Sequence, residues 1–550
     1  MLFGLFITGC SDEILEEKPP NIITAESLYK DLEGFESGLN GLYSLCRLER
    51  EGRSSSDIYE SGGNDLRAEM YMNGTDNVCP NHHDGFGNVA ERWAELNSPF
   101  NLEIEANFLL LYKIVNSANV IINRADNPDV DWTGSGSDII STKNRVIAEA
   151  RTIRAWAFRH LAYCWGAVPL NVEESLGSNI RTDWIRSDVE EVWDFVKQDL
   201  IFGKEHLPAD QGFPGKVTRG VALHYLAELY LLLGKPDSAL IIAKECIDIP
   251  DYQIITDRYG VRQNEPGIAF MDMFYDGNSN REEGNSEALW VWQWEQETIG
   301  GGRSIMRRWS VSRYYGIKVG SVSPFQFTTE RGGRGIGRMG PTKFALDLYE
   351  PEDHRGSNFT IRKYFIISDE QMNSPFPADK LPEGYNYGDT IHLDWSEPIT
   401  PDHRTNVSWP YTRKWEWGDP DVIDGVYQYN DQVYLRLAET YLLKAEAEFM
   451  TGKMAEAAET INVLRRRANA SEITAGDVTL DLILDERSRE LLFEEHRRYT
   501  LLRTGKWMER TALHNLNGGQ FIQERDKLFP IPQSVIDANL TVKMTQNPGF

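Results

Sequence analysis

The sequence predicts a mostly α-helical fold: a scaffold of tetratricopeptide-like helical hairpins carrying large loop-rich insertions with short strands. Three observations point there. Residues 218–248 and 433–468 each read as an apolar helical face, a Gly-Lys turn and a second apolar helical face. The two units match when laid over one another: Ala227 with Ala445, Glu228 with Glu446, Gly234 with Gly452, Lys235 with Lys453, and Ala239 with Ala457. Small residues at these positions let paired helices approach closely. Between the helical regions, residues 256–430 become rich in Gly, Pro, Asn and aromatics, the texture of loops and short strands.

The elements follow in order. Residues 1–20 are set apart as a signal-like segment and tether. Its apolar run ends in small residues and Cys10, is too short to span a membrane, and lacks a basic start, the first Lys being Lys18. Residues 21–550 are read as one composite domain. Its helical scaffold is expected mainly over 21–50, 101–250 and 431–510, and its insertions over about 51–100 and 256–430. Helical periodicity runs through Leu109, Tyr112, Val115 and Asn119, then from Ala148 to Trp165, where Gly166 and Pro169 stop it. Ser54-Ser55-Ser56, Gly62-Gly63, Asn73-Gly74 and His82-His83-Asp84-Gly85 are turn signals. Ala288 to Trp294 is a strand-like run. A charged helix is expected from about Asp481 to Arg503. In it Glu486, Glu490 and Glu494 would meet Arg489, Arg497 and Arg498 three or four residues along.

Composition removes several functions. The net charge is −27 across 550 residues, which disfavours nucleic acid and anionic lipid as partners. No apolar stretch reaches the ~18 residues of a spanning helix. No CxxC, HExxH, Walker A or GxSxG pattern occurs, and the ten His show no metal spacing, so no metal, cofactor or catalytic residue is expected. Gly335 to Gly340 spells GxGxxG, but it follows a polar run rather than an apolar strand. Acidic pairs are uninformative among 84 Asp and Glu. Cys164 and Cys246 fall in apolar helical patterns and read as buried thiols. Whether Cys46 and Cys79 pair is left open.

Aromatic residues carry the binding signal. Eight of the 15 Trp lie within 290–417. Flat C–H patches of sugars stack on such rings, and Asp, Asn and Arg rims bond the hydroxyls. Trp309, Arg313, Tyr314 and Tyr315, in a Gly-flanked loop, are the expected platform. Trp294, Trp93 beside the His82–Gly87 loop, and the charged Asp65 and Arg67 complete the candidates. Core packing is the competing reading, and it is preferred for the alternating Trp290, Trp292 and Trp294, which share one face of a strand. Residues 303–343 hold nine basic side chains against the single acid Glu330, a local +8. Arg pairs carboxylate or sulfate bidentately, so an anionic glycan is one expectation. Salt bridges to the acidic surface, or docking to a transporter, is the other.

The motifs now resemble the SusD/RagB family of outer-membrane glycan-binding lipoproteins. The resemblance rests on Glu149-Ala150-Arg151 through Phe158 and Trp165 to Leu170, then Gly340-Pro341-Thr342 through Arg355. It continues with Tyr434 to Ala447, Asn462 to Ala468, Asp485 to Arg503, Leu528 to Pro532, and Gln546-Asn547-Pro548-Gly549-Phe550. They fall in order along nearly the whole chain. Two positions depart from the family pattern: Glu495 stands where Gly is usual, and Thr500 where Asp is usual. Ile7-Thr8-Gly9-Cys10, followed by Ser11-Asp12-Glu13, resembles a lipobox with a surface-export signal. The missing basic start then suggests a misplaced start codon. The resemblance implies a SusD-like fold, lipid on Cys10, an outer-membrane cell-surface location, and capture of an oligosaccharide or polysaccharide without cleavage. It also implies a partner, a SusC-like TonB-dependent transporter capped by this protein as a hinged lid. A lid for a peptide or other non-glycan nutrient is the alternative.

Overall fold

The computed structural model describes residues 24–51, 66–82, 85–136, 138–176, 179–210, 212–369 and 377–550. Cys10, the tether, Asp65, His83 and the Ser54–Ser56 and Gly62-Gly63 turns lie outside the described residues. The fold is mostly helical, as expected, and its strands pair two by two in small antiparallel sheets.

A central helix, Ile139–Trp165, organises the scaffold. Asp138 caps it by accepting from Ser141 N at 2.9 Å, and Gly166 ends it at φ 70°. From Val146 to Trp165 it is buried almost throughout, because helices Leu102–Ala125 and Val189–His206 pack on either side. Its charged residues are therefore paired internally. Arg154 donates to both oxygens of Asp199 at 2.8 and 2.9 Å, and Arg159 to both oxygens of Glu228 at 2.7 and 2.9 Å.

The two matched units are helical hairpins, Arg219–Leu232 with Pro236–Ile247 and Leu437–Met450 with Met454–Arg467. They pack on one another. Gly234 and Gly452 turn them at φ 66° and 76°, a region an L side chain enters at a cost. Strand Ala288–Trp292 pairs antiparallel with Gln432–Arg436, with a register shift around Trp290. Trp292 stacks on Tyr434 at 3.9 Å, and Trp290 meets Trp156 edge-on, so these rings are core.

The charged helix differs from its expectation. It breaks into Leu480–Leu491 and Arg497–Arg503, with Phe493 at φ 62° between them. The insertion causes the break. Buried Lys414 donates to the carbonyls of Glu490 and Leu492 at 3.1 and 3.2 Å, and Trp415 Nε1 to that of Phe493 at 3.2 Å. Of the expected local pairs, Glu486–Arg489 forms at 3.0 Å. The others turn outward onto neighbours: Glu490 holds Arg355, Arg436 and Arg467, Glu494 holds Arg436 and Lys414, and Arg497 holds Asp76. The two departures from the family pattern meet here. Thr500 Oγ1 donates to Glu495 Oε2 at 3.1 Å, and Arg487 and Arg497 neutralise the same carboxylate.

Cys46, Cys79, Cys164 and Cys246 are all buried free thiols, so Cys46 and Cys79 do not pair.

Candidate functional site

The insertion 256–430 builds a polar-walled cleft of about 290 Å³, lined by Arg262, Tyr275, Asp276, Glu330, Arg413, Glu416 and Trp417. Trp417 is partly exposed. Its indole Nε1 donates to Asp276 Oδ2 at 3.0 Å, which fixes the ring, and Tyr429 meets it edge-on at 6.3 Å. Arg262 lies over Tyr275 at 4.7 Å, and burial raises the Tyr275 phenol above its ordinary pKa. Both oxygens of Glu416 are taken, by Arg362 at 3.0 and 2.9 Å and by Arg413 at 2.8 Å.

The chain places Trp417 from both sides. Trp415, two residues earlier, is buried beneath Arg50 at 4.7 Å and anchored in the helix break. Beyond it, buried Arg307 donates to the carbonyls of Trp417 and Gly425 at 2.5 and 2.6 Å. A partly exposed, oriented indole ringed by charged and amide groups can stack on a sugar face and bond its hydroxyls.

Most of the expected platform lies elsewhere. Trp309 is 0% exposed, packed in a second core with Arg338 over its ring at 4.2 Å. Tyr314 is equally buried, its hydroxyl donating to Gly333 O at 2.8 Å and its ring stacked on Phe365 at 5.0 Å. Trp294 is buried beside Arg47. Trp93 sits among Phe86, Trp507 and Phe529, and Arg67 donates to Leu48 O at 2.9 Å from a buried position. In this conformation none of these five offers a ring or a head group to a surface ligand. Arg313 is exposed and Tyr315 half-buried, with the guanidinium over the ring at 5.9 Å. Sequence reasoning counted Trp417 among the clustered Trp but did not single it out. The usable signal was the Trp415/Trp417 alternation ahead of Gly418-Asp419-Pro420, a buried ring followed by one carried out into a turn.

A larger cavity of about 450 Å³ lies between Tyr43, Arg47, Phe213, Lys216 and Gln293. Its Lys216 is paired with Glu36 at 2.6 Å, and its one indole, Trp292, is stacked against Tyr434. Metal-type ligands converge at Glu49, His160 and His496, in the interior. Arg159 Nη1 stands 3.2 Å from His496 Nδ1, and a guanidinium can only donate. His496 therefore carries its proton on Nε2, facing Tyr434 and Glu49, and that nitrogen has no lone pair for a metal. Burial holds His160 well below the ordinary imidazole pKa, and its Nδ1 lies 2.7 Å from the Tyr499 hydroxyl.

The hairpin scaffold thus carries a loop-built cleft with an oriented, partly exposed indole. Two family models match this chain: one described as "SusD family" over residues 286–550, and one described as "Starch-binding associating with outer membrane" over residues 62–231. The chain belongs to the SusD/RagB family. It is 24% identical over 532 residues to SusD-like protein P25 of Formosa agariphila, covering 92% of this chain and 89% of the relative. A 133-residue stretch is 35% identical to the starch-binding protein SusD of Bacteroides thetaiotaomicron, 24% of this chain and 23% of that one. Among solved structures, a laminarin-binding SusD-like protein superposes with a TM-score of 0.68 at 20% identity, over 95% of this chain and 100% of that chain. Surface glycan-binding protein A from Bacteroides thetaiotaomicron, in complex with laminarihexaose, superposes with a TM-score of 0.68 at 18% identity, over 94% and 99%.

Proposed function

We propose that the protein is a cell-surface lipoprotein of the outer membrane that captures an oligosaccharide without cleaving it. It presents that ligand to a SusC-like TonB-dependent importer, over which residues 21–550 act as a single lid tethered through lipid on Cys10. The observation that carries the reading is Trp417: a partly exposed indole, oriented by Asp276, lining a charged cleft. The glycan-binding names of relatives and of structural neighbours support it. Binding without turnover is supported by the engagement of two of the three cleft carboxylates, Glu416 by two arginines and Asp276 by the indole.

The test is calorimetry of the full chain carrying Cys10→Ala against neutral and acidic oligosaccharides and peptides. Trp417→Ala is expected to weaken glycan binding by about tenfold or more while leaving the fold intact. Unchanged affinity refutes the site. Binding of peptides alone gives the function to a non-glycan nutrient, and product formation makes the protein a hydrolase.

A further inference from the structure

The basic segment 303–343 does not act as one patch. Arg307 is absorbed by the carbonyls of Trp417 and Gly425, Arg331 donates to Ser368 Oγ at 2.7 Å, and Lys343 pairs with Asp347. Three other arginines converge. Ile336 N donates to Arg308 O at 3.1 Å, and Ser312 bridges to Ile336, so the run 334–338 lies alongside the helix Met306–Ser310. Arg308 is thereby flanked by Arg334 and Arg338. Arg338 is held over Trp309, and Arg334 Nη1 donates to Asp424 O at 3.0 Å, on the loop that follows Trp417.

Arg308 is the anomaly. Its Nε and Nη1 are buried and, among the described residues, have no hydrogen-bond partner. Burial, and then the charges of Arg338 and Arg334, push its guanidinium pKa down to about 10. A partly desolvated guanidinium with two unpaired N–H groups and like charges beside it is unfavourable unless an anion joins it. Guanidinium forks suit the oxygens of sulfate and carboxylate.

We propose that Arg308, with Arg334 beside it, forms a subsite for an oxyanion carried by the glycan, a sulfate ester or a uronate carboxylate, beside the loop that carries Trp417. The substrate class is then an anionic oligosaccharide. This rests on the glycan-binding reading above.

The experiment compares three ligands on one backbone: a neutral oligosaccharide, its sulfated derivative and its uronate derivative. Each is titrated against the Cys10→Ala chain and against Arg308→Gln and Arg334→Gln in that background, at low and high salt. The expected result is about tenfold or greater preference for at least one anionic form at low salt, shrinking at high salt. Either variant should collapse that ratio toward one. The sulfated and uronate arms tell the two sources apart. A second arm needs no glycan: inorganic sulfate, against chloride at matched ionic strength, should raise the Tm of the parent more than that of Arg308→Gln. Equal affinity for neutral and anionic forms, or a preference that survives both substitutions, overturns the subsite while leaving the Trp417 reading intact. Silence towards all three glycans, with an Arg308-dependent sulfate shift, overturns the glycan reading and keeps the anion site. Silence with no such shift overturns both.

Discussion

Asp76→Asn should weaken the join between the 51–100 insertion and the scaffold. Asp76 is fully buried and accepts from Arg497 Nε at 2.8 Å and Nη2 at 2.7 Å, and from Arg510 Nε at 2.8 Å. Its backbone also engages the other insertion, since Thr342 Oγ1 donates to Asp76 O at 2.6 Å. Burial opposes ionisation, but the two guanidiniums outweigh it and hold the carboxyl at a pKa of about 2, against an ordinary 3.8. That depression stabilises the fold by about 2 kcal/mol at neutral pH. Asn keeps the shape but strips the charge, leaving Arg497 to Glu495 and Arg510 to Asp481 and Asp485, so the loss should reach about 3 kcal/mol, the low end for a broken buried pair. The folded pKa lies below the unfolded one. The contribution is therefore fully present above about pH 4 and is lost as pH falls through about 2. Urea midpoints read by Trp fluorescence, parent against variant, at pH 7 and pH 3, test both parts. The gap should be large at pH 7, and the linked term should shrink to about half by pH 3. A variant that unfolds at the parent's midpoint, or a gap that does not narrow on acidification, refutes the reasoning.

Gly452→Ala should cost about 1 kcal/mol, from the φ of 76° alone, since a Cβ there meets no atom within 4 Å. Urea titration checks it, and Gly234→Ala, at φ 66° in the matched hairpin, should cost about the same. In the Cys10→Ala chain, the four remaining thiols should resist thiol reagents at pH 8 until the protein is unfolded. Burial drives Cys164 to about 11 and Cys246 to about 12, and Cys46 and Cys79 higher still. Labelling in urea should then count four free groups without reductant, and a count of two would mean that Cys46 and Cys79 pair after all.

The scaffold was legible because its signals are local. A Gly at the turn and apolar residues at helical spacing state a hairpin within about thirty residues, with no help from the rest of the chain. The break after Leu491 was not legible for the opposite reason. Phe493 takes a left-handed φ that its own side chain disfavours. What holds it there, Lys414 and Trp415, comes from far earlier in the chain and binds carbonyls, which leave no trace in a side-chain pattern. The same contacts redirect Glu490 and Glu494 away from their helical neighbours, so a spacing rule that presumed one continuous helix assigned them the wrong arginines.

The burial of most of the expected platform has a related cause. Trp309 and Trp417 look alike in sequence, each near arginines and glycines. They differ in what lies on their faces: Trp309 is roofed by Arg338 within a closed core, whereas Trp417 is tied by one edge to Asp276 and stays partly exposed. That difference traces back to the helix break. Lys414 and Trp415 are locked into the carbonyls released at residues 490–493, Arg413 and Arg362 clamp Glu416 between them, and the next side chain is carried out to the cleft. The buried ion network that identifies the scaffold and the indole proposed to meet the ligand are thus consecutive links in one chain of contacts. Cutting the inner link, at Lys414 or Glu494, should disturb the cleft before it disturbs the hairpins, because the ion pairs of these two side chains fall outside the hairpin helices and the second hairpin closes on Ala445, Ala457, Ile461, Leu442 and Leu464.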